Sequence, residues 1–309
     1  MSFYDTLSTL KKVCIYPATV RVECNDKVTK SVFSRTVEQY QNMINGVHAG
    51  VIEKKNHKKS GKLVTSYTFQ NATGYGNQIP LDEFDRAVLS VCISEFLAGN
   101  RYTTPAIIFR SLIGKIGEIG VDPTEKQVVM IEDAIDKLMF TQFDSDAAKA
   151  IEEMNYINDS DELILEKSAV LPCYRVKAII GGHIVKAIFF DRESPHWLIA
   201  DKKNQVLRYN SNLLYTGDHY NSRHKIAVTN YVLRRAMEIV YHKNLTPFIT
   251  FDDVFTKCRV DDVSRKIKSN LRENIFAIFQ NLKNDNLISD FSTVKNGVNY
   301  SGIKVDRKS

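Results

Sequence analysis

A group of cationic and amide side chains near position 270 has the types and spacing that nucleic-acid contacts require. Arg265, Lys268 and Arg272 are three and four residues apart, so on a helix they project from one side. Arginine can bond guanine through two hydrogen bonds, asparagine can bond adenine in the same way, and lysine and serine position the backbone. The neighbours of these cations fit the same chemistry, namely Lys266, Ser269, Asn270 and Asn274. The pattern predicts a helix that contacts duplex DNA, although charged stripes also occur on helix faces that meet only water.

The N-terminal part of the chain predicts a hairpin with a basic tip. Strand-like runs at 48–52 and 63–69 flank residues 54–62, which contain five lysines and a glycine. A helix is expected before them at 36–47, where apolar residues recur at helical spacing. The tip lysines that we take as candidate phosphate contacts are Lys54, Lys55, Lys58 and Lys59. A solvated loop without a ligand is the alternative for this tip.

A second helix that could meet DNA is expected at 123–139. Lys126 and Gln127 lie in its first turn and are candidate DNA contacts. Four carboxylates offset them, namely Glu125, Glu132, Asp133 and Asp136. Two interpretations stay open: this unit contacts DNA through its helix start and its hairpin, or it serves dimerisation and does not contact DNA.

The motifs that would indicate an enzyme or a metal site are missing from the sequence. There is no phosphate-binding G-x-x-x-x-G-K-[ST] loop, no G-x-S-x-G and no H-E-x-x-H. The seven histidines never form the closely spaced pair of a rolling-circle nuclease, and the five cysteines include no C-x-x-C. We therefore expect no catalytic residues, no metal and no cofactor.

Composition predicts a globular protein with an uneven charge. The chain has 309 residues, of which 43% are hydrophobic and 25% are charged, and this length suits two domains. No apolar run approaches the length of a membrane-spanning helix, and the sequence shows no signal peptide. We therefore expect a cytoplasmic protein without a membrane partner. Residues 221–309 contain 16 Lys and Arg against 9 Asp and Glu, a net charge of +7, whereas residues 1–220 carry −1. A concentrated positive charge is typical of proteins that bind polyanions.

The elements that would position these residues follow one order twice. Helices are expected at 81–99, 104–113 and 123–139, followed by a strand at 140–144 as the first strand of a wing. A β-rich stretch at 163–214 is interpreted as an elaborated wing or an inter-domain sheet. The second set of helices is expected at 225–242, 251–257 and 267–282, and a hairpin follows with Lys295 beside its Asn-Gly turn. The apolar stripe of the last helix consists of Ile267, Leu271, Ile275, Ile278, Phe279 and Leu282.

The expected fold class is α+β, with two winged-helix units and a β-rich insert between them. The expected division is an arm at 1–80 with a helix and a β-hairpin, a first winged-helix unit at 81–220, and a second, basic winged-helix unit at 221–309.

Several runs resemble the replication initiators of plasmids and related mobile elements. The run LDEFDRAVL at 81–89, followed by AGN at 98–100 and YTTP at 102–105, looks like the opening of an initiator winged helix. RKIK at 265–268 through LKNDNLI at 282–288 is similar to the second recognition helix and wing of such proteins. The resemblance covers about residues 81–308, mostly as pattern. It implies a protein that binds repeated sites at an origin as a monomer or homodimer and recruits host replication proteins without doing chemistry.

The sequence thus predicts sequence-specific binding of double-stranded DNA, with origin recognition as the first hypothesis. A winged-helix transcriptional regulator is the second hypothesis. A third is a phage or mobile-element factor that uses winged helices to grip another protein, in which case the acidic first unit would bury a partner surface.

Overall fold

The protein is described by a computed structural model that combines helices with small antiparallel sheets, an α+β fold. The described residues are 19–23, 51–58, 61–69, 81–116, 118, 120–145, 165–180, 183–194, 206–217, 220–296 and 299–308. The helix expected at 36–47 and the candidate contact Lys59 lie outside them. Among the helices of these ranges, none combines the length and the apolar composition that crossing a bilayer demands.

Six α-helices and one short 3-10 helix, Ser211–Leu214, lie in the described part of the chain. The α-helices are α1 (Glu83–Leu97), α2 (Pro105–Leu112), α3 (Glu125–Phe140), α4 (Arg223–Tyr241), α5 (Phe251–Lys257) and α6 (Arg265–Asn284). Each was predicted from apolar periodicity and capping signals to within about two residues at either end. Thr104, Ser222, Thr250 and Ser264 accept a backbone N–H at the starts of α2, α4, α5 and α6, as N-cap residues do. After α1 the chain turns at Gly99, whose φ is 96°.

The described strands form four antiparallel sheets. The strands are β1 (Thr19–Glu23), β2 (Val51–Lys58), β3 (Gly61–Phe69), β4 (Tyr102–Thr103), β5 (Thr141–Ser145), β6 (Leu165–Ala169), β7 (Cys173–Ile180), β8 (His183–Phe190), β9 (Val206–Asn210), β10 (Phe248–Thr250), β11 (Asp290–Asn296) and β12 (Asn299–Asp306). The sheet orders are β1-β9, β2-β3-β5-β6, β4-β8-β7 and β10-β12-β11.

Two parts of the chain share one topology. In the first unit (α1, β4, α2, α3, β7, β8) a helix, a short strand and two helices are followed by a hairpin whose second strand pairs with the short strand. The second unit (α4, β10, α5, α6, β11, β12) repeats this order and this pairing. The first unit differs by the strands β5 and β6, which stand between its last helix and its hairpin.

The strand expected to open a wing in the first unit has other partners than the hairpin of that unit. The strand predicted at 140–144 exists as β5, but it pairs with β3 and β6 instead of opening the hairpin that meets β4. That hairpin is β7–β8, with Thr103 opposite Ile188. The β-rich stretch at 163–214 therefore includes the hairpin of the first unit itself. Alternating residues predict a strand but do not specify its partner, which is why the pairing was missed.

The basic hairpin tip near residue 58 was also predicted too long. β2 continues to Lys58 and β3 begins at Gly61, with Lys58 opposite Gly61. Lys54 and Lys55 therefore lie within a paired strand, opposite Thr65 and Val64, and not in a loop. The polar composition of the segment suggested a loop, but backbone pairing tolerates lysine in a hairpin strand.

The described strands of residues 19–69 pair with strands of the chain after residue 80. β1 pairs with β9, and β3 pairs with β5. The division at residue 80 therefore cuts through two sheets, and the three-part domain division stays a prediction.

One apolar core runs through both units. It includes Phe84 and Val88 of α1, Val232 of α4 and Ile278 of α6, all of them buried. Polar contacts join the units as well: Asn230 in α4 donates to the carbonyl of Leu112 at 3.2 Å. The stripe of α6 is buried as predicted except at its first position. Ile267 is 42% exposed, because it lies in the first turn of α6, before the part of the helix that reaches the core.

Candidate nucleic-acid interface

The start of α6 presents exposed cations and polar groups to solvent. Its buried stripe, from Leu271 to Leu282, turns the opposite side of the helix outward. Ser264 fixes the beginning of the helix by accepting the N–H of Ile267 at 3.4 Å. The exposed polar residues of the first two turns are Arg265, Lys266, Ser269 and Asn270. These are four of the side chains that the sequence singled out for DNA contact.

Lys268 and Arg272 are placed differently from Arg265, because they lie half-buried against α5. The Arg272 guanidinium carbon is 5.4 Å from the ring centroid of Phe251 and 5.6 Å from that of Phe255. The Lys268 ammonium lies 5.8 Å from the Phe255 centroid and donates to the carbonyl of Asp261. The three cations predicted on one stripe therefore divide into an exposed Arg265 and two cations that pack on aromatic rings.

Sequence reasoning missed these rings, which we call the α5 aromatic pair. Phe251 and Phe255 are buried and nearly parallel, with centroids 6.4 Å apart and planes at 19°. Their spacing of four residues on a short helix was a signal that could have predicted one aromatic face. What the spacing could not predict is that α6 would bring Arg272 over this face.

The hairpin β11–β12 supplies a further cation. Lys295 is exposed and its ammonium lies 5.1 Å from the ring centroid of Tyr300, which is 47% exposed. β11 begins against the end of α6: Lys283 pairs with Asp290 at 2.9 Å, and the Phe279 and Phe291 rings are 5.5 Å apart. The hairpin carrying Lys295 is thus anchored to the helix that carries Arg265.

The cations of this surface share one electrostatic property. Among the described residues, none of the five has a carboxylate partner: Arg265, Lys266, Lys268, Arg272 and Lys295. A cation without a carboxylate partner attracts an external anion more strongly than a cation in an ion pair, because the carboxylate of the pair reduces the local positive potential.

In the first unit the corresponding surface is mostly neutralised. Arg175 on the hairpin pairs with Asp136 of α3 at 2.6 Å and donates to the carbonyl of Glu132 at 2.8 Å. Lys186 pairs with Glu132 at 3.5 Å. Burial raises the pKa of Asp136, although Arg175 opposes the shift. The hairpin and the helix of this unit therefore bind each other through their charged groups.

The two predicted contacts on α3 have different environments. Lys126 is exposed in the first turn. Gln127 is buried: its oxygen accepts the N–H of Thr124 at 2.8 Å and its amide donates to the carbonyl of Asn221 at 2.8 Å. Gln127 thus connects α3 to the chain before α4, and its amide is not exposed at the surface.

The remaining predicted contacts are Lys54, Lys55 and Lys58, which occupy positions in β2. Lys59 lies outside the described residues. No group of three or more His, Cys, Asp and Glu that could hold a metal is found within the described ranges. Cys92, Cys173 and Cys258 are buried free thiols, and burial raises the pKa of each.

No protein-family model, no curated protein and no solved structure matches this chain. What the surface can do is therefore given by its geometry and charge: an exposed cationic helix start, two cations on aromatic rings and a basic hairpin, all on the part of the chain with a net charge of +7.

Proposed function

We propose that this protein binds double-stranded DNA through its second unit, as an origin-recognition protein of a plasmid or mobile element. The observation that carries the proposal is the set of cations on α6 and β11 that have no carboxylate partner among the described residues. Phosphate contacts supply most of the non-specific affinity of a DNA-binding protein, and they require cationic side chains that are not already paired with a carboxylate of the protein.

The topology supports a winged-helix interpretation of both units. Helix, strand, two helices and a hairpin that pairs back on the strand is the order of a winged helix, and the chain has it twice. In helix-turn-helix proteins the N-terminal residues of the second helix contact base edges, and the preceding helix crosses the backbone. In this chain those elements would be α6, with Arg265, Lys266, Ser269 and Asn270, and α5.

The first unit has features that favour a protein contact. Its hairpin cations are paired with α3, and α3 exposes Val129 at 50% together with Glu125 and Asp133. A surface with an exposed apolar side chain between carboxylates is better suited to contact a protein than to contact the phosphates of DNA. We propose that this unit contacts a second copy of the chain or a host replication protein. A factor that grips only proteins is the second candidate function, because this surface alone would serve it.

The test is a salt-dependent anisotropy titration of the full chain with labelled duplexes from its own upstream region, a random duplex and a single strand. We expect the tightest binding on the native duplex and a steep loss of affinity with salt. The variant with both Arg265→Ala and Lys266→Ala should flatten the slope of log K against log salt by about two units, at about 0.9 per phosphate contact.

Lys126 is the matched control. It is the second residue of α3, as Lys266 is of α6, and both are exposed. Lys126→Ala should leave affinity and slope unchanged if the first unit does not touch DNA. Weak binding of the wild type to every nucleic acid would refute the proposal and favour the protein-gripping factor.

A further inference from the structure

Arg272 is unusual among the inward-lying arginines of the described residues. Arg110, Arg223 and Arg234 each have a carboxylate within 3 Å. The others pair with a carboxylate or donate to a backbone carbonyl, namely Arg86, Arg235, Arg259 and Arg307. Arg272 has no partner of either kind: its Nε is enclosed without a hydrogen bond, while its side chain as a whole is half-exposed.

Two carboxylates on α5 and just after it accept hydroxyl groups of other residues. Asp253 accepts the hydroxyl of Tyr231 at 2.8 Å, and Asp261 accepts the hydroxyl of Thr256 at 3.0 Å. Neither of them pairs with Arg272 or Lys268. The fold thus holds a guanidinium and an ammonium near one ring, that of Phe255, and neither forms an ion pair with a carboxylate of the described residues. Partial desolvation of a cation costs free energy, and binding of an anion offsets that cost.

The aromatic rings also fix where the charge lies. A guanidinium that packs against two nearly parallel rings loses much of the freedom of a long side chain, so less entropy is lost when it binds a ligand. Lys268 is held in the same way by its bond to the Asp261 carbonyl, which leaves its other N–H groups for a second acceptor. Both cations are therefore positioned before any ligand arrives.

We propose that Lys268 and Arg272 together bind a single phosphate group of the nucleic-acid backbone, at the edge of the α5 aromatic pair. This inference rests on the proposed function and divides its surface into two tasks. Lys268 and Arg272 fix the position of α6 on the nucleic-acid backbone. Arg265 and Lys266 add the exposed phosphate contacts, and the uncharged Ser269 and Asn270, which are also exposed, are left to contact base edges.

The test is a double-mutant cycle on the affinity of the full chain for a random duplex and for the native upstream duplex. Arg272→Met keeps a long apolar stem over Phe251 and Phe255 but removes the charge, and Lys268→Met does the same. Each single variant should weaken both duplexes equally, by about tenfold, because a charge-assisted bond to a phosphate is lost. Since the two cations share one phosphate, the double variant should lose little more than either single variant, and its salt slope should fall by about one unit.

The matched control pairs Arg272→Met with Lys295→Met, which lies on the hairpin. Those two losses should add, and the slope should fall by about two units. Inorganic phosphate in competition distinguishes a site for any phosphate from one that requires the duplex backbone; displacement of the duplex at millimolar phosphate, abolished in Arg272→Met, supports the shared site. Thermal unfolding of each variant shows that the fold is intact.

The outcomes separate the two proposals. A wild-type chain that binds no duplex overturns the proposed function. A wild type that binds, with strictly additive losses at Lys268 and Arg272 and a slope reduced by two units, overturns the shared phosphate alone. Variants that unfold at a lower temperature but bind with an unchanged slope assign both cations to packing and also overturn it.

Discussion

Glu95 near the end of α1 carries a carboxyl group that the fold encloses completely. Its side chain is 0% exposed; one oxygen accepts the amide of Asn100 at 2.6 Å and the other has no partner. Burial raises the pKa of Glu95 from 4.5 to about 7, and the bond from Asn100 opposes this only in part. The protonated form is therefore the one that the folded protein favours.

A pH-dependent stability follows from this residue. Between pH 4.5 and 7 the folded chain keeps a proton that the unfolded chain has released, so stability falls as the pH rises through this window. Glu95→Gln removes the titration. The free energy of unfolding of Glu95→Gln minus that of the wild type should therefore increase by roughly 3 kcal/mol between pH 4.5 and pH 8.

Urea unfolding of both proteins at pH 4.5, 6 and 8 measures this difference. Glu273→Gln is the control, because Glu273 is exposed on α6; its difference from the wild type should stay constant across the three pH values. A constant difference for Glu95→Gln as well would show that the carboxyl group is not desolvated in the folded protein.

At the scale of elements, the sheet of the second unit depends on one small residue in its central strand. A Cβ at Gly302 would collide with the carbonyl oxygen of Ile249 and lie 2.9 Å from both the Phe248 ring and the Thr250 Cα. Because β12 pairs with β10 and β11, these atoms cannot move without opening the sheet. Gly302→Ala should therefore lower the free energy of unfolding by about 2 kcal/mol, the usual cost of overpacking.

Thermal or urea unfolding checks this value. Lys304 lies on the same strand with its side chain exposed, so Lys304→Ala should change stability by less than about 0.5 kcal/mol. Equal stability of Gly302→Ala and the wild type would mean that β10 and β12 can separate at no cost.

Elements also show how far the sequence alone could lead. Helices were predictable because their signals are local: Ser264 before Arg265 marks a start, and the stripe from Leu271 to Leu282 marks a buried face. Strand pairing was not, because β5 joins β3 across about seventy residues and nothing in either strand specifies that partner.

The candidate site was predictable to the same degree. Helical spacing placed Arg265, Lys268 and Arg272 on one side of α6, which is correct as far as spacing reaches. Which of them would be exposed depended on α5 packing against that side, a tertiary contact without a local signal. The burial of Gln127 had no local signal either, since the carbonyl that accepts its amide belongs to Asn221, more than ninety residues away.

At the scale of the whole molecule, ion pairs join the two units. Arg223 of α4 lies 2.8 Å from Asp82 and 3.0 Å from Asp85 of the first unit, and within that unit Lys137 of α3 also lies 3.0 Å from Asp85. Burial would raise the pKa of Asp82, but the charges of Arg223 and Lys137 hold it below its ordinary value. A second group is centred on Arg234, which pairs with Glu83 of the first unit at 2.9 Å and with Glu238 at 3.2 Å. The units are thus coupled by charge as well as by their common core.

Breaking the second group should destabilise both units together. Arg234 is 5% exposed, and Arg234→Met leaves the buried Glu83 with Arg86 at 3.8 Å as its partner, while Glu238 keeps Arg235 at 2.7 Å. Loss of one member of a buried pair costs about 3 kcal/mol or more, because the remaining charge stays desolvated. Arg235→Met, one residue away but with a side chain 26% exposed, should cost about 1 kcal/mol or less.

Scanning calorimetry of the full chain should give one endotherm for the wild type and one endotherm at lower temperature for Arg234→Met. If a second endotherm stayed at the wild-type temperature, the units would be unfolding independently, and the pair between Glu83 and Arg234 would not couple them.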